Sequence, residues 1–166
     1  MDFSLRYDKR EKSTHRFEIA DHGTRRQLTI PVSRPEGAFL KGNLTWGDIL
    51  VSAHGRWWET IPVALESAYG RSPFFQYYYP SFEELFVEPG PDSKLEWLVT
   101  RADEIVRSIL GLDGTFFPDG GVITEVDEPR VRPYWQISGQ EFTDGLSILD
   151  LIFNQGPEAP LYLRGL

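Results

Sequence analysis

The chain has no cysteine. That excludes disulfides, thiolate metal ligands and a cysteine nucleophile, and it fits a reducing compartment. No apolar run approaches the roughly 18 residues of a membrane-spanning helix. The opening residues Met1-Asp2-Phe3-Ser4-Leu5-Arg6 lack the apolar stretch of a secretory signal. A cytoplasmic protein is therefore expected. Basic residues are few, with 17 Lys and Arg against 25 Asp and Glu and a net charge of −8. Phosphate backbones are held by basic surfaces, so a nucleic-acid partner is disfavoured. His15, His22 and His54 do not have the spacing of a local zinc site, and no metal is expected. No phosphate-binding glycine loop, Gly-x-Gly-x-x-Gly, Gly-x-Ser-x-Gly or His-Glu-x-x-His occurs, and no cofactor can be named.

What the chain does have is aromatic side chains, 14% of its 166 residues. Its length suggests one domain, 1–166, large enough for a packed core. Phe3-Ser4-Leu5-Arg6-Tyr7 alternates apolar and polar residues and predicts a short strand. A charged loop follows, residues 8–14. The segments 15–20 and 26–32 predict a hairpin around Asp21-His22-Gly23-Thr24, because Gly supplies positive φ at little cost. Pro31 removes a ladder donor and puts the second strand's end at an edge. Residues 33–46 read as a loop and 48–52 as a third strand.

Downstream the pattern turns helical. Ile61, Ala64, Leu65 and Ala68 form one stripe. Pro62 predicts that this helix begins near Thr60, with Gly70 as its stop. Ser72-Pro73 predicts a short helix, and Ser81 with Glu84 predicts a capping box on another. Residues 93–110 are the clearest helix, with an Asp103–Arg107 pair and Gly111 at its end. Thr115-Phe116-Phe117 and Val122-Ile123-Thr124-Glu125-Val126 are strand candidates around Asp119-Gly120-Gly121. Residues 146–153 predict a last helix, stopped by Gly156-Pro157. The fold class expected is α/β with α+β character: one small mixed sheet containing an antiparallel hairpin and packed by helices.

Candidate chemistry gathers at His54 and Arg56, where a strand runs into a helix. An imidazole there suits general acid–base work, and a guanidinium suits a phosphate or carboxylate. A capping histidine and a surface arginine are the plainer alternative. Arg16 is a second anion-binding candidate. His15 beside it should point the other way, because strand side chains alternate. Ser147, Asp150 and Asn154 form a polar stripe on the last helix, either a site carboxylate with neighbours or a solvated face. Phe74, Phe75, Tyr77, Tyr78 and Tyr79 either offer a stacking platform or fill a core.

Four blocks in order resemble the WbqC-like protein family: Gln27-Leu28-Thr29-Ile30-Pro31-Val32; Ser52-Ala53-His54-Gly55-Arg56-Trp57; Ser67-Ala68-Tyr69 with Ser72-Pro73-Phe74-Phe75-Gln76-Tyr77-Tyr78; and Leu146 to Glu158. They span about residues 16 to 163, in a form similar to the Bacteroidetes branch. The resemblance implies bacterial O-antigen and surface-polysaccharide biosynthesis, with a transferase adding an aminoacyl or acyl group to a sugar. It also implies that a first strand with a Tyr-Leu-Pro or His-Gln-Pro motif is lacking, and that Thr14-His15-Arg16 stands where Arg-Asn-Arg is usual. The expected site has His54 and Asp150 as catalytic residues. Arg16, Arg56, Tyr69, Tyr78 and Asn154 would bind a nucleotide-sugar or glycan. The alternative is a non-catalytic glycan- or partner-binding remnant of the family.

Overall fold

The computed structural model describes residues 2–37, 43–112, 132–137, 139 and 141–163. The strand candidates at 115–117 and 122–126 lie outside them. The predicted hairpin forms: β1 (Arg16–Asp21) pairs antiparallel with β2 (Thr24–Thr29), with Arg16 opposite Thr29 and Asp21 opposite Thr24. His22 (φ 51°) and Gly23 (φ 77°) both take left-handed backbone, as a two-residue type I′ turn requires.

Among the described residues the strands make two antiparallel pairs rather than one mixed sheet, and the class is α+β. The second pair joins β3 (Val32–Ser33) to β4 (Leu50–Val51). Pro31 lies between β2 and β3, where its missing N–H interrupts the ladder. Its carbonyl instead accepts from the Ser52 N–H at 2.8 Å. The expected strand at residues 3–7 reduces to an isolated bridge between Arg6 and Thr45.

Among the described residues the α-helices are α1 (Trp57–Tyr69), α2 (Phe75–Tyr78), α3 (Leu95–Leu110), α4 (Ile148–Gln155) and α5 (Ala159–Leu163). Helix α1 begins three residues before the expected start, so Pro62 stands inside it and costs the bond to the Trp58 carbonyl. The Trp57 side chain anchors this earlier start: it is buried, and its indole N–H donates to the Ser52 carbonyl at 3.0 Å. Gly70 caps the end of α1 as expected, and the position requires glycine, since a Cβ there would lie 2.5 Å from the Glu66 carbonyl oxygen. The capping box expected at Ser81 does not form. Residues 79–85 are a 3₁₀ segment, and Glu84 pairs with Arg101 at 2.7 Å. In α3 the Asp103–Arg107 pair closes at 2.6 Å and Gly111 takes left-handed φ, both as the sequence implies.

Ile19, Ile49, Leu65, Tyr69, Leu95, Ile152 and Phe153 are fully buried at the centre. Each such side chain contributes about 1.5–3 kcal/mol. Most of the aromatic patch joins this core: Phe75 packs edge-on against Phe153, 5.0 Å between centroids, and stacks on Tyr79 at 4.7 Å. Tyr77 alone of the five is largely exposed. Helices α1 and α4 both pack on β1. The Ser147 N–H, just before α4, donates to the Glu18 carbonyl of β1 at 2.8 Å. That bond sets the N-terminus of α4 beside the start of the hairpin.

Candidate functional site

Three polar side chains meet where β1 begins and α4 begins. His15 lies in the turn before β1, its N–H bonded to the Lys12 carbonyl at 3.2 Å. Strand alternation therefore does not govern it, and His15 and Arg16 line the same cavity, contrary to the expectation from the sequence. The His15 ring is buried. Its Nδ1 is 3.0 Å from the Ile30 carbonyl oxygen, which can only accept, so Nδ1 carries the proton. Burial pushes the His15 pKa below the usual value, aided by Lys12 and Arg16 and opposed by the Ile30 bond. The neutral ring leaves Nε2 as a bare acceptor, buried and without a hydrogen-bond partner.

Arg16 donates from Nη1 to Gln27 Oε1 at 3.3 Å, and its Nε is buried with no partner. Ser147 is the N-cap of α4, but its Oγ makes no capping bond and is also unpartnered. The first N–H groups of a helix lack intrahelical acceptors and carry partial positive charge. A guanidinium, a hydroxyl and a helix N-terminus thus stand together, a combination suited to an oxyanion.

Two recesses share this edge. One, about 230 Å³, has apolar walls from Trp57, Phe82, Leu98, Ala102 and Val106, with His15, Arg16 and Ser147 among its polar lining. The other, about 380 Å³, is lined by Lys12, Arg16, Glu18, Gln27 and Ser147. The second is within the usual range of small-molecule sites, about 300–1,000 Å³, and the first lies a little below it.

The remaining expected residues divide into three places. His54 and Arg56 occupy an exposed 3₁₀ turn, His54–Arg56, between β4 and α1. Gly55 (φ 76°) and Arg56 (φ 47°) both take left-handed backbone there, and Arg56 pairs with Glu59. Tyr78 is half-buried against Phe74 and Tyr77. Tyr69, Asp150 and Asn154 are brought together in a buried network, so the polar stripe of α4 faces inward and is not a solvated face. Asp150 Oδ2 accepts from the Tyr134 hydroxyl at 2.6 Å and from Gln136 Nε2 at 2.8 Å. The Tyr69 hydroxyl accepts from the Ala20 N–H at 3.0 Å and also lies against the carboxylate, but no bond of good geometry reaches Oδ1. Asn154 donates to the Asp150 carbonyl at 2.8 Å and accepts from the Ile137 N–H at 3.1 Å.

Burial raises the Asp150 pKa, against the lowering effect of its hydrogen-bond donors. Burial, then the nearby carboxylate, raises Tyr69 and Tyr134 well above the usual phenol range. The hydrogen-bond partners of Asp150 are thus Tyr134 and Gln136, not a histidine, and neither recess at Arg16 is lined by Asp150, His54 or Arg56. Of the residues at the Arg16 edge, sequence reasoning named Arg16 as a binder but gave His15 and Ser147 no part in its site. The signal for Ser147 was its place just before an apolar helical run, where an N-cap is expected.

Among the described residues no group of three or more His, Asp or Glu is placed to hold a metal ion. No helix among them is long and apolar enough to cross a membrane. Comparison with curated proteins and with solved structures finds no match. The model of the WbqC-like protein family matches residues 4–119 and 112–162. With nearly the whole sequence matched, the chain belongs to the WbqC-like protein family.

Proposed function

We propose that this chain is a cytoplasmic group transferase of bacterial surface-polysaccharide biosynthesis that modifies an activated sugar held at the Arg16 edge. One observation carries the reading: Arg16 with its unpartnered Nε, the free Ser147 hydroxyl and the N-terminus of α4 share one groove. A nucleotide-sugar supplies the phosphate such a group would bind. Glu18 and Gln27 in the same groove offer acceptors and a donor for sugar hydroxyls. His15 Nε2, bare and neutral, is suited to take a proton from the attacking group. Asp150 acts in this reading as a positioning residue, through α4.

Titration with UDP-glucose and dTDP-glucose tests it. Arg16→Gln should weaken binding by about tenfold or more, the loss of a charge-assisted contact. Equal affinity in the variant contradicts the proposal. The proton-carrying histidine is resolved by a pair of variants in a transfer assay. Loss of turnover in His15→Gln with retention in His54→Ala supports the groove. The reverse result returns catalysis to the exposed turn at His54.

A second reading, a glycan- or partner-binding module without catalysis, is favoured by the exposure of His54 and by the burial of Asp150 among Tyr134, Gln136 and Tyr69. Ligand binding with no turnover on any donor selects it.

A further inference from the structure

The groove at the Arg16 edge carries a carboxylate that a phosphate does not use. Glu18 follows Arg16 by two residues on β1, so both side chains stand on one face of the strand. At the usual strand rise they are about 7 Å apart along it. Among the described residues Glu18 is the only acidic one lining the groove. Its side chain is half-buried, and no described group donates a hydrogen bond to either oxygen. Oε2 is buried at 3.5 Å from Arg25 Nη1, and Arg25 is shared with Asp144 at 3.3 Å. Buried polar atoms without partners are rare in a folded protein and mark places a ligand group can complete. Gln27 stands opposite Glu18 across the ladder. Its Oε1 accepts from Arg16, which leaves its Nε2 free to donate to a ligand.

We infer that the activated sugar held in this groove is an amino sugar, its ammonium group bound by Glu18 while its phosphates stay at Arg16 and Ser147. The inference rests on the nucleotide-sugar reading above and adds the class of sugar. The separation of Arg16 and Glu18 is that of one hexose ring between its anomeric phosphate and a substituent across the ring.

The charges of the groove point the same way. Lys12 also lines it and makes no ion pair among the described residues. Two cations and one carboxylate thus face a ligand, the complement of anionic phosphates joined to one cationic group. With the phosphates on Arg16 and Lys12, the ammonium meets a carboxylate rather than a bare cation. A sugar hydroxyl also donates to a carboxylate, but a hydrogen bond between two ionised groups is the stronger one. The hydroxyl next to the amine accepts from Gln27 Nε2.

The experiment titrates the full chain with two matched pairs of nucleotide-sugars, at about pH 6.5, where an ordinary amine is protonated. One pair is UDP-glucosamine and UDP-glucose. The other is dTDP-4-amino-4,6-dideoxyglucose and dTDP-6-deoxyglucose, which places the amine across the ring. At least one amino sugar should bind about tenfold tighter than its hydroxyl counterpart, or better. In Glu18→Gln that ratio should fall to about one, because the amide keeps the size and an acceptor oxygen but not the charge. Amino sugars that bind no tighter than their counterparts, or a preference that survives Glu18→Gln, overturn the inference. The comparison in the natural chain needs no variant and decides alone if Glu18→Gln melts early. Arg16-dependent binding with no preference within either pair removes the amino-sugar assignment and keeps the sugar reading. A Glu18-dependent preference that Arg16→Gln leaves at full affinity removes the phosphate reading and keeps the Glu18 site. No binding of any of these nucleotides removes both.

Discussion

His15 and Arg16 reach one cavity because the turn ends at His15 and the ladder begins at Arg16. The Ile30 carbonyl fixes the imidazole by accepting from Nδ1. Its consequence for stability has a definite sign. The folded His15 pKa lies below its ordinary 6.5, so the unfolded chain binds this proton more readily than the folded one. Stability from this group is present above pH 6.5 and is lost as pH falls below it. Denaturant melts across that range should show the loss in the natural chain, and His15→Gln should flatten it. A slope unchanged by His15→Gln contradicts the burial of a neutral ring.

At the scale of elements, α4 does two jobs. Its N-terminus borders the groove, and its buried face ties down Tyr134, Gln136 and Ile137: Tyr134 and Gln136 donate to Asp150, Gln136 also bonds Thr143 at 2.9 and 2.8 Å, and Asn154 holds Ile137. Removing the acceptor leaves two donors orphaned in a dry interior. Asp150→Ala should cost about 2–4 kcal/mol in urea melts, while Asp150→Asn, which keeps an oxygen for both donors, should stay within about 1–2 kcal/mol of the natural chain. Equal costs for the two variants would show that the network does not hold through that oxygen. The stop of α4 is equally specific. Gly156 has φ 51°, and a Cβ there would lie 2.5 Å from the Phe74 ring. The sequence marked this stop, the hairpin turn at Gly23 and the end of α3 at Gly111, because glycine's conformational reach is a local property. It misplaced the start of α1, where the buried indole of Trp57 offsets the cost of Pro62, since that balance is set by tertiary packing.

At the scale of the molecule, the family and the α+β class were legible from four blocks of text and from periodicity. The site was legible only in part. Arg16 stood out by its charge, but the partners that complete its edge come from a helix N-cap 131 positions later in the chain, as the numbering of Arg16 and Ser147 shows. No local pattern announces such a meeting. Asp150 and Asn154 were recognised as a pair by helical spacing, yet spacing cannot say whether a stripe faces water or core. His54 drew attention by rarity and position, and it lies in a strained, exposed turn apart from both recesses. Two candidate centres therefore stand on one chain, and binding separates them. Backbone amide shifts followed by ¹⁵N NMR during titration with UDP-glucose and dTDP-glucose test the central claim most directly. The expected result is shift changes at Arg16, Glu18, Gln27, Ser147 and Ile148, with His54 and Arg56 unmoved. Changes confined to His54, Gly55 and Arg56, with the Arg16 edge silent, would contradict the account.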